Sequence, residues 1–339
     1  MFFDYPMFFE KNCVFRVYTG GKLFADFFSD DSTESNYPEE WVVSSVRALN
    51  EGSTDIHEGI SKIEGTEIYL DEAINQYKNE LLGEREDIGI LTKILNSSIR
   101  LPVQAHPDKA FSREHFNSSY GKEESWIILG TEPGAKVFYG FKDGVTMEQF
   151  SKAIDESDNS KTVMEDLLVG YDVSVGDIIY IPAKMVHAIG AGCLLLEVQE
   201  PTDFTVQPER WCGDYRLSDK EMYLGLTKEQ ALDCFEIDKK YPIPLESHAL
   251  ESSDGVEYLS VIDGSITDSF RVRKLNFSGG SFTMDKGACI YVVIGGEGKI
   301  SGNGYERNIK KGDYFFIPEA IKGKFSISSD NMSVAECYR

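Results

Sequence analysis

The segment Gly176-Asp177-Ile178-Ile179-Tyr180-Ile181-Pro182 recurs later in the chain as Gly312-Asp313-Tyr314-Phe315-Phe316-Ile317-Pro318. Each copy joins a Gly-Asp turn, a run of four apolar residues and a proline, which is typical of a tight turn that enters a buried strand. A chance match is the alternative, but the Gly-Asp, the Ile-Pro and their spacing all agree. Two copies in strand-rich surroundings predict a mainly β protein with two related β-barrels or sandwiches.

The rest of the chain divides around this repeat. Residues 1–240 are predicted to form the first domain, with helical insertions at about 66–84, 145–166 and 217–235, where apolar residues recur at helical spacing. The segment Tyr241-Pro242-Ile243-Pro244 reads as a linker. Residues 241–339 are predicted to form the second domain, because short apolar runs there alternate with Gly and Asn turns.

A candidate metal site precedes the first copy of the repeat. Gln104 and His106 stand two residues apart on an extended segment, so their side chains point to the same face. Glu124 on a second strand could meet them, and His187 is a good candidate for a fourth ligand. Imidazole, amide oxygen and carboxylate together suit zinc or another divalent first-row metal.

The two copies differ at the position that would supply this fourth ligand. His187 is the fifth residue after Pro182, whereas Gly323 is the fifth residue after Pro318. The sequence therefore predicts one metal site, in the first domain, and a structural or capping role for the second domain.

Bulk composition excludes several classes of partner. The net charge of -23 on 339 residues disfavours binding to nucleic acid or to anionic membranes. No apolar run is long enough for a membrane span, and no signal peptide is evident at the start. The six cysteines contain no CxxC pair, which favours reduced thiols in a cytoplasmic protein. The oligomeric state is left open.

Three motifs carry a resemblance to a known family. The chain has Gln-x-His-Pro-Asp at Gln104–Asp108, Gly-Lys-x-Glu-x-Trp at Gly121–Trp126, and Ile-Pro-x-x-x-x-His-Ala-Ile-Gly at Ile181–Gly190. This pattern closely resembles the type I mannose-6-phosphate isomerases, a cupin family, in their short bacterial form. The resemblance covers about residues 15–240, and the second domain is consistent with it. It implies two cupin-type β-barrel or jelly-roll domains with inserted α-helices.

The resemblance also implies roles for individual residues. The family binds zinc through Gln, His, Glu and His, which here are Gln104, His106, Glu124 and His187; another divalent metal would also fit. The lysine of the second motif lies near the substrate in the family, which makes Lys122 a predicted catalytic residue. Lys109 is either a rim residue or a cationic contact.

Two positions depart from the family pattern. The position of the family's active-site arginine is occupied by Gln207 in this chain. The next arginine is Arg210, and we predict that it replaces the missing arginine if the loop bulges. The family also has a small hydroxyl residue two positions before the glutamine that matches Gln104, where the present chain has Pro102. Because an amide cannot replace a permanent cation, these departures bear on the identity of the substrate more than on metal binding.

The resulting functional hypothesis is a zinc-dependent aldose-ketose isomerase. Its expected reaction converts mannose 6-phosphate to fructose 6-phosphate through a cis-enediol intermediate. The first alternative is a divergent isomerase or epimerase that acts on another sugar, either phosphorylated or unphosphorylated. The second is a non-catalytic cupin that binds a sugar. The sequence does not identify the group that shuttles the proton.

Overall fold

The larger, N-terminal part of the chain folds into a mainly β unit. The computed structural model describes residues 1–253 and 255–339. Strands of this first unit pair in a six-stranded sheet of order β1-β2-β3-β9-β4-β7, a three-stranded sheet of order β6-β5-β8 and a β10–β11 hairpin. Their bounds are β1 (Cys13–Val14), β2 (Glu39–Val42), β3 (Leu91–Ser97), β4 (Glu124–Thr131), β5 (Lys136–Phe141), β6 (Leu168–Asp172), β7 (Ile178–Ile181), β8 (His187–Ile189), β9 (Cys193–Gln199), β10 (Trp211–Cys212) and β11 (Tyr215–Arg216).

The second unit is formed by the last eight strands. Six of them pair in the order β12-β13-β14-β19-β16-β17. In addition, β15 pairs with β19, and β18 pairs with β16. Their bounds are β12 (His248–Ser253), β13 (Val256–Ile262), β14 (Arg271–Phe277), β15 (Gly280–Thr283), β16 (Cys289–Gly302), β17 (Tyr305–Lys310), β18 (Tyr314–Ile317) and β19 (Ser326–Tyr338). The protein is thus mainly β with two jelly-roll units, and this prediction from the sequence is confirmed.

The α-helices among the described residues all precede the second unit. They are α1 (Phe24–Phe28), α2 (Leu70–Leu82), α3 (Lys109–Phe116), α4 (Met147–Glu156), α5 (Asp219–Tyr223) and α6 (Lys228–Leu232). Short 3-10 helices lie at Phe2–Asp4, Glu165–Leu167 and Glu319–Ile321. The interval predicted at 66–84 holds α2, the one at 145–166 holds α4, and the one at 217–235 holds two short helices. No described helix is long and apolar enough to cross a bilayer.

The two copies of the repeat form equivalent strands. In the first unit β7 pairs antiparallel with β4, so that Ile181 lies opposite Glu124. In the second unit β18 pairs antiparallel with β16, and the matching Ile317 lies opposite Cys289. The second copy therefore lacks the carboxylate of the first in addition to the histidine.

One apolar core is shared by the two units. It joins buried residues of the first unit, such as Ile94 and Leu196, to Phe270 and Ile290 of the second. The N-terminal segment also packs on the second unit, because Met7 forms a backbone bridge with Phe316. The division into domains at residue 240 stays a prediction, but the described chain crosses between the units at its start as well as at the linker.

Candidate metal centre

Backbone pairing brings the four predicted ligands together. Gln104 and His187 exchange two backbone hydrogen bonds of 2.9 Å, although they are far apart in the sequence. Ala105, which lies between Gln104 and His106, pairs with Val206. The side chains of Gln104 and His106 therefore lie on the face opposite to the side chain of Ala105. Glu124 is the first residue of β4, and His187 is the first residue of β8.

The side chains of these residues form a compact buried cluster. One ligand atom each of His106, Glu124 and His187 lies within 4.8 Å of the others. His106 Nε2 is 3.1 Å from Glu124 Oε2, and His187 Nε2 is 3.5 Å from Glu124 Oε1. Gln104 Nε2 is 3.3 Å from His187 Nε2. The four residues are 7% exposed or less, so the cluster is formed inside the jelly roll.

Both histidines are held in the tautomer that a metal requires. The Nδ1 atom of His106 lies 3.0 Å from the carbonyl oxygen of Phe204, and the Nδ1 atom of His187 lies 2.9 Å from that of Met185. A carbonyl only accepts, so each Nδ1 donates and each Nε2 keeps its lone pair. Such backbone partners orient the imidazoles of metal sites.

The electrostatics also favour a cation in this cluster. Burial, followed by the ammonium of Lys122, lowers the pKa of His106, and burial and then His106 lower the pKa of His187 to about 3. Burial acts to raise the pKa of Glu124, but His106 and Lys122 outweigh it and hold that pKa well below 4.5. Neutral imidazoles and an ionised carboxylate are the protonation states that bind a metal.

One oxygen of Glu124 shows that the residues present fit a metal. Glu124 Oε1 accepts a hydrogen bond of 3.1 Å from Trp126 Nε1, but the buried Oε2 receives none from the residues that the structure describes. Glu124 Oε2 lies within ion-pair distance of His106 and Lys122, but a buried carboxylate oxygen without a hydrogen bond is costly. A divalent ion bound by Glu124 and both imidazoles would satisfy it, with the amide oxygen of Gln104 turned towards the ion.

Lys122 lies at the edge of the same cluster. Its ammonium is 3.1 Å from His106 Nε2 and 3.3 Å from Glu124 Oε2, and it donates to Thr205 Oγ1 at 3.4 Å. Lys122 and Glu124 therefore share a face of the chain, as strand alternation predicts.

Arg210 is placed elsewhere by its contacts. Its Nε lies 2.8 Å from Asp158 Oδ1, its Nη2 lies 2.8 Å from Asp219 Oδ1, and its Nη1 donates to the carbonyl of Leu217. None of its hydrogen bonds or ion pairs to the described residues involves the four predicted ligands. The amide of Gln207 donates to the backbone carbonyl of Glu221.

Several polar residues near the centre were not identified from the sequence. Glu197 and Lys93 are buried, and Lys93 Nζ lies 3.2 Å from Glu197 Oε1. Burial and then the charge of Glu124 raise the pKa of Glu197. The available signal was the strand Cys193–Gln199, where Glu197 and Gln199 interrupt an apolar run at alternating positions.

Comparisons with known proteins show which family the chain resembles. The family model described as the cupin domain of mannose-6-phosphate isomerase matches residues 260–338. The chain is 30% identical over 338 residues to the mannose-6-phosphate isomerase ManA of Bacillus subtilis, which covers 98% of this chain and 97% of that one. It is 29% identical over 322 residues to the mannose-6-phosphate isomerase of Streptococcus mutans, which covers 94% and 93%.

Solved structures show the same fold. The crystal structure of the mannose 6-phosphate isomerase from Bacillus subtilis superposes with a TM-score of 0.80 at 23% identity and covers 98% of this chain and 99% of that chain. A putative mannosephosphate isomerase from Archaeoglobus fulgidus gives a TM-score of 0.73 at 16% identity, with 98% and 97% covered.

Proposed function

The chain belongs to the mannose-6-phosphate isomerase family, and on this premise we propose that it interconverts mannose 6-phosphate and fructose 6-phosphate. The observation that carries the proposal is the buried cluster of His106, Glu124 and His187, whose ligand atoms lie within 4.8 Å of one another. We propose that one divalent ion, zinc in the first place, is held there by Gln104, His106, Glu124 and His187. Six free cysteines suit a reducing, cytoplasmic location.

The chemistry of the reaction explains why such a centre is useful. A proton leaves C2 of the aldose, a cis-enediol forms, and a proton returns at C1, so negative charge develops on a sugar oxygen. A divalent ion supplies Lewis-acid stabilisation of that charge when it is bound.

Residues of this chain bind the substrate and orient the metal site. We propose that the side-chain nitrogen of Lys122, which lies beside Glu124 and His106, donates a hydrogen bond to a sugar oxygen. Phe204 and Met185 fix the imidazoles through their carbonyls. A catalytic role for Arg210 stays a prediction. Its ion pairs with Asp158 and Asp219 favour a structural role instead.

A second candidate is an isomerase or epimerase that acts on an unphosphorylated sugar. Gln207 offers no permanent charge to a phosphate. The lysines beside the metal motifs are each within 3.4 Å of a carboxylate: Lys109 of Glu200, Lys122 of Glu124, and Lys184 of Asp108. A phosphate would have to compete with these partners. A sugar-binding cupin without turnover is the third candidate.

A coupled assay separates these functions. Zinc-loaded protein is expected to form fructose 6-phosphate from mannose 6-phosphate, to lose the activity on chelation and to regain it when zinc is restored. Turnover of mannose but not of mannose 6-phosphate would instead establish the second candidate. Sugar binding in calorimetry without any turnover would establish the third.

The metal content of variants tests the site in the same preparation. His106→Ala and His187→Ala are each expected to drop from about one ion per chain to less than a tenth. His57→Ala is the matched control, because His57 stacks on Tyr69 and lies outside the cluster. Retention of metal by both site variants would refute the proposed ligands.

A further inference from the structure

A loop of the second unit touches the first unit beside the metal motifs. This loop, residues 263–270 between β13 and β14, is called the hydroxyl loop here. Thr267 Oγ1 donates a hydrogen bond of 2.5 Å to Glu123 Oε2, and Lys109 Nζ donates one of 2.9 Å to Ser269 Oγ. Thr267 and Ser269 are both buried. Glu123 lies between Lys122 and Glu124, and Lys109 is the third residue after His106.

Hydrogen bonds within the hydroxyl loop, and one from Arg271 of β14, hold its backbone. Asp263 Oδ1 accepts from Ser265 N, and the backbone N–H of Thr267 donates to the carbonyl of Asp263. Arg271 Nη1 donates to the carbonyl of Thr267 at 2.7 Å. Phe270 is completely buried in the core that the two units share. Thr267 is therefore presented to the first unit from a fixed position.

The residues that the hydroxyl loop contacts are tied to each other. The backbone N–H of Glu123 donates to Glu200 Oε2 at 3.2 Å, and the backbone N–H of Glu200 donates to the carbonyl of Glu123 at 3.0 Å. Lys109 Nζ lies 3.3 Å from Glu200 Oε1. The segments that carry His106 and Glu124 are thus linked through Glu200, and the hydroxyl loop closes this link from outside.

We propose that Thr267 is a positioning residue for the metal centre, which it reaches through Glu123. Strand alternation places the side chain of Glu123 opposite those of Lys122 and Glu124. A hydrogen bond that fixes Glu123 on one face therefore fixes the other two side chains on the opposite face. The second unit, which has no ligands of its own at the equivalent positions, completes the centre of the first unit in this way.

A merely adhesive contact between the units would behave differently. Loss of an adhesive contact lowers the free energy of unfolding without changing the local order at the start of β4. Loss of a positioning contact frees the backbone there and weakens metal binding. Outer partners of metal ligands commonly change metal affinity by about 10- to 100-fold. The inference rests on the proposed function only in its metal-affinity part.

The test compares Thr267→Val, Thr267→Ser and Thr283→Val. Valine removes the hydroxyl at nearly constant shape, and serine keeps it. Thr283 is the control, because its hydroxyl pairs with Ser326 at the surface of the second unit. Hydrogen exchange of metal-free protein is followed at residues 121–125, and zinc affinity is measured by competition with a chelator.

We expect Thr267→Val to exchange at least about fivefold faster at residues 121–125 and to bind zinc about tenfold more weakly. Thr267→Ser and Thr283→Val should match the wild type in both. Unchanged exchange at residues 121–125 in Thr267→Val overturns the inference. If wild-type protein binds no zinc, the proposed function fails, and hydrogen exchange alone still decides the role of Thr267.

Discussion

Glu39 is the residue at which several charges of the first unit converge. Its carboxylate is 2.8 Å from Arg16 Nε and 3.5 Å from Lys93 Nζ, and it accepts hydrogen bonds from Tyr18 and Trp41. Burial acts to raise the pKa of Glu39, but Arg16 and Lys93 outweigh it and lower that pKa far below 4.5. Glu39 therefore takes up a proton more readily in the unfolded chain than in the folded protein. Its contribution to stability is present at neutral pH and is lost as the pH falls below about 4.5.

Glu39→Gln is predicted to lower the free energy of unfolding by about 3 kcal/mol at pH 7. This is the low end of the range for breaking a buried pair, since Arg16 keeps Asp203 and Lys93 keeps Glu197. Urea denaturation of metal-free protein at pH 7 and pH 4 measures the effect. The difference between wild type and variant should be smaller at pH 4, because Glu39 of the unfolded wild-type chain then takes up a proton while the folded carboxylate stays ionised.

Glu86→Gln is the control for this measurement, because the side chain of Glu86 is 86% exposed. Its free energy of unfolding should stay within about 0.5 kcal/mol of the wild type. A Glu39 variant as stable as this control at pH 7 would show that the buried network contributes nothing to folding.

At the scale of an element, helix α3 follows the metal motif directly and depends on its cap. Asp108 Oδ1 accepts a hydrogen bond of 2.8 Å from the backbone N–H of Phe111, and Asn117 ends the helix with a positive φ. Asp108→Ala is predicted to reduce the free energy of unfolding by about 1 kcal/mol, because a helix N–H loses its partner. Asp108→Asn, measured in the same urea titration, should keep most of the stability that the cap contributes. Equal losses in the two variants would instead assign the effect to the ion pair with Lys184.

For the whole molecule, the shared core predicts that both units unfold together. All three tryptophans, Trp41, Trp126 and Trp211, belong to the first unit, whereas Phe270 enters the shared core from the second. Phe270→Ala should lower the free energy of unfolding by about 3–5 kcal/mol. Tryptophan fluorescence and far-UV circular dichroism should report this loss at the same urea concentration. A tryptophan transition that does not move would mean that the units unfold separately.

The sequence by itself determined the features that depend on local patterns. The repeated Gly-Asp turn with its apolar strand predicted two related β units, because the turn and the strand are both specified by adjacent residues. Alternation on an extended chain placed Gln104 and His106 on one face, and it placed Glu124 with Lys122. The metal motifs were also recognised in the sequence through the family resemblance, since each predicted ligand lies within a short characteristic segment.

Only the tertiary structure decided which distant segments meet. The strand order puts β3 between β2 and β9, which brings Lys93 to Glu39 and Glu197. The fold likewise directs Arg210 to Asp158 and Asp219 and sets Thr267 against Glu123. Periodicity fixes the face on which a side chain lies but carries no information about the strand or loop opposite that face. Those contacts are set by how the strands pair and the units pack, so no local pattern in the chain could specify them.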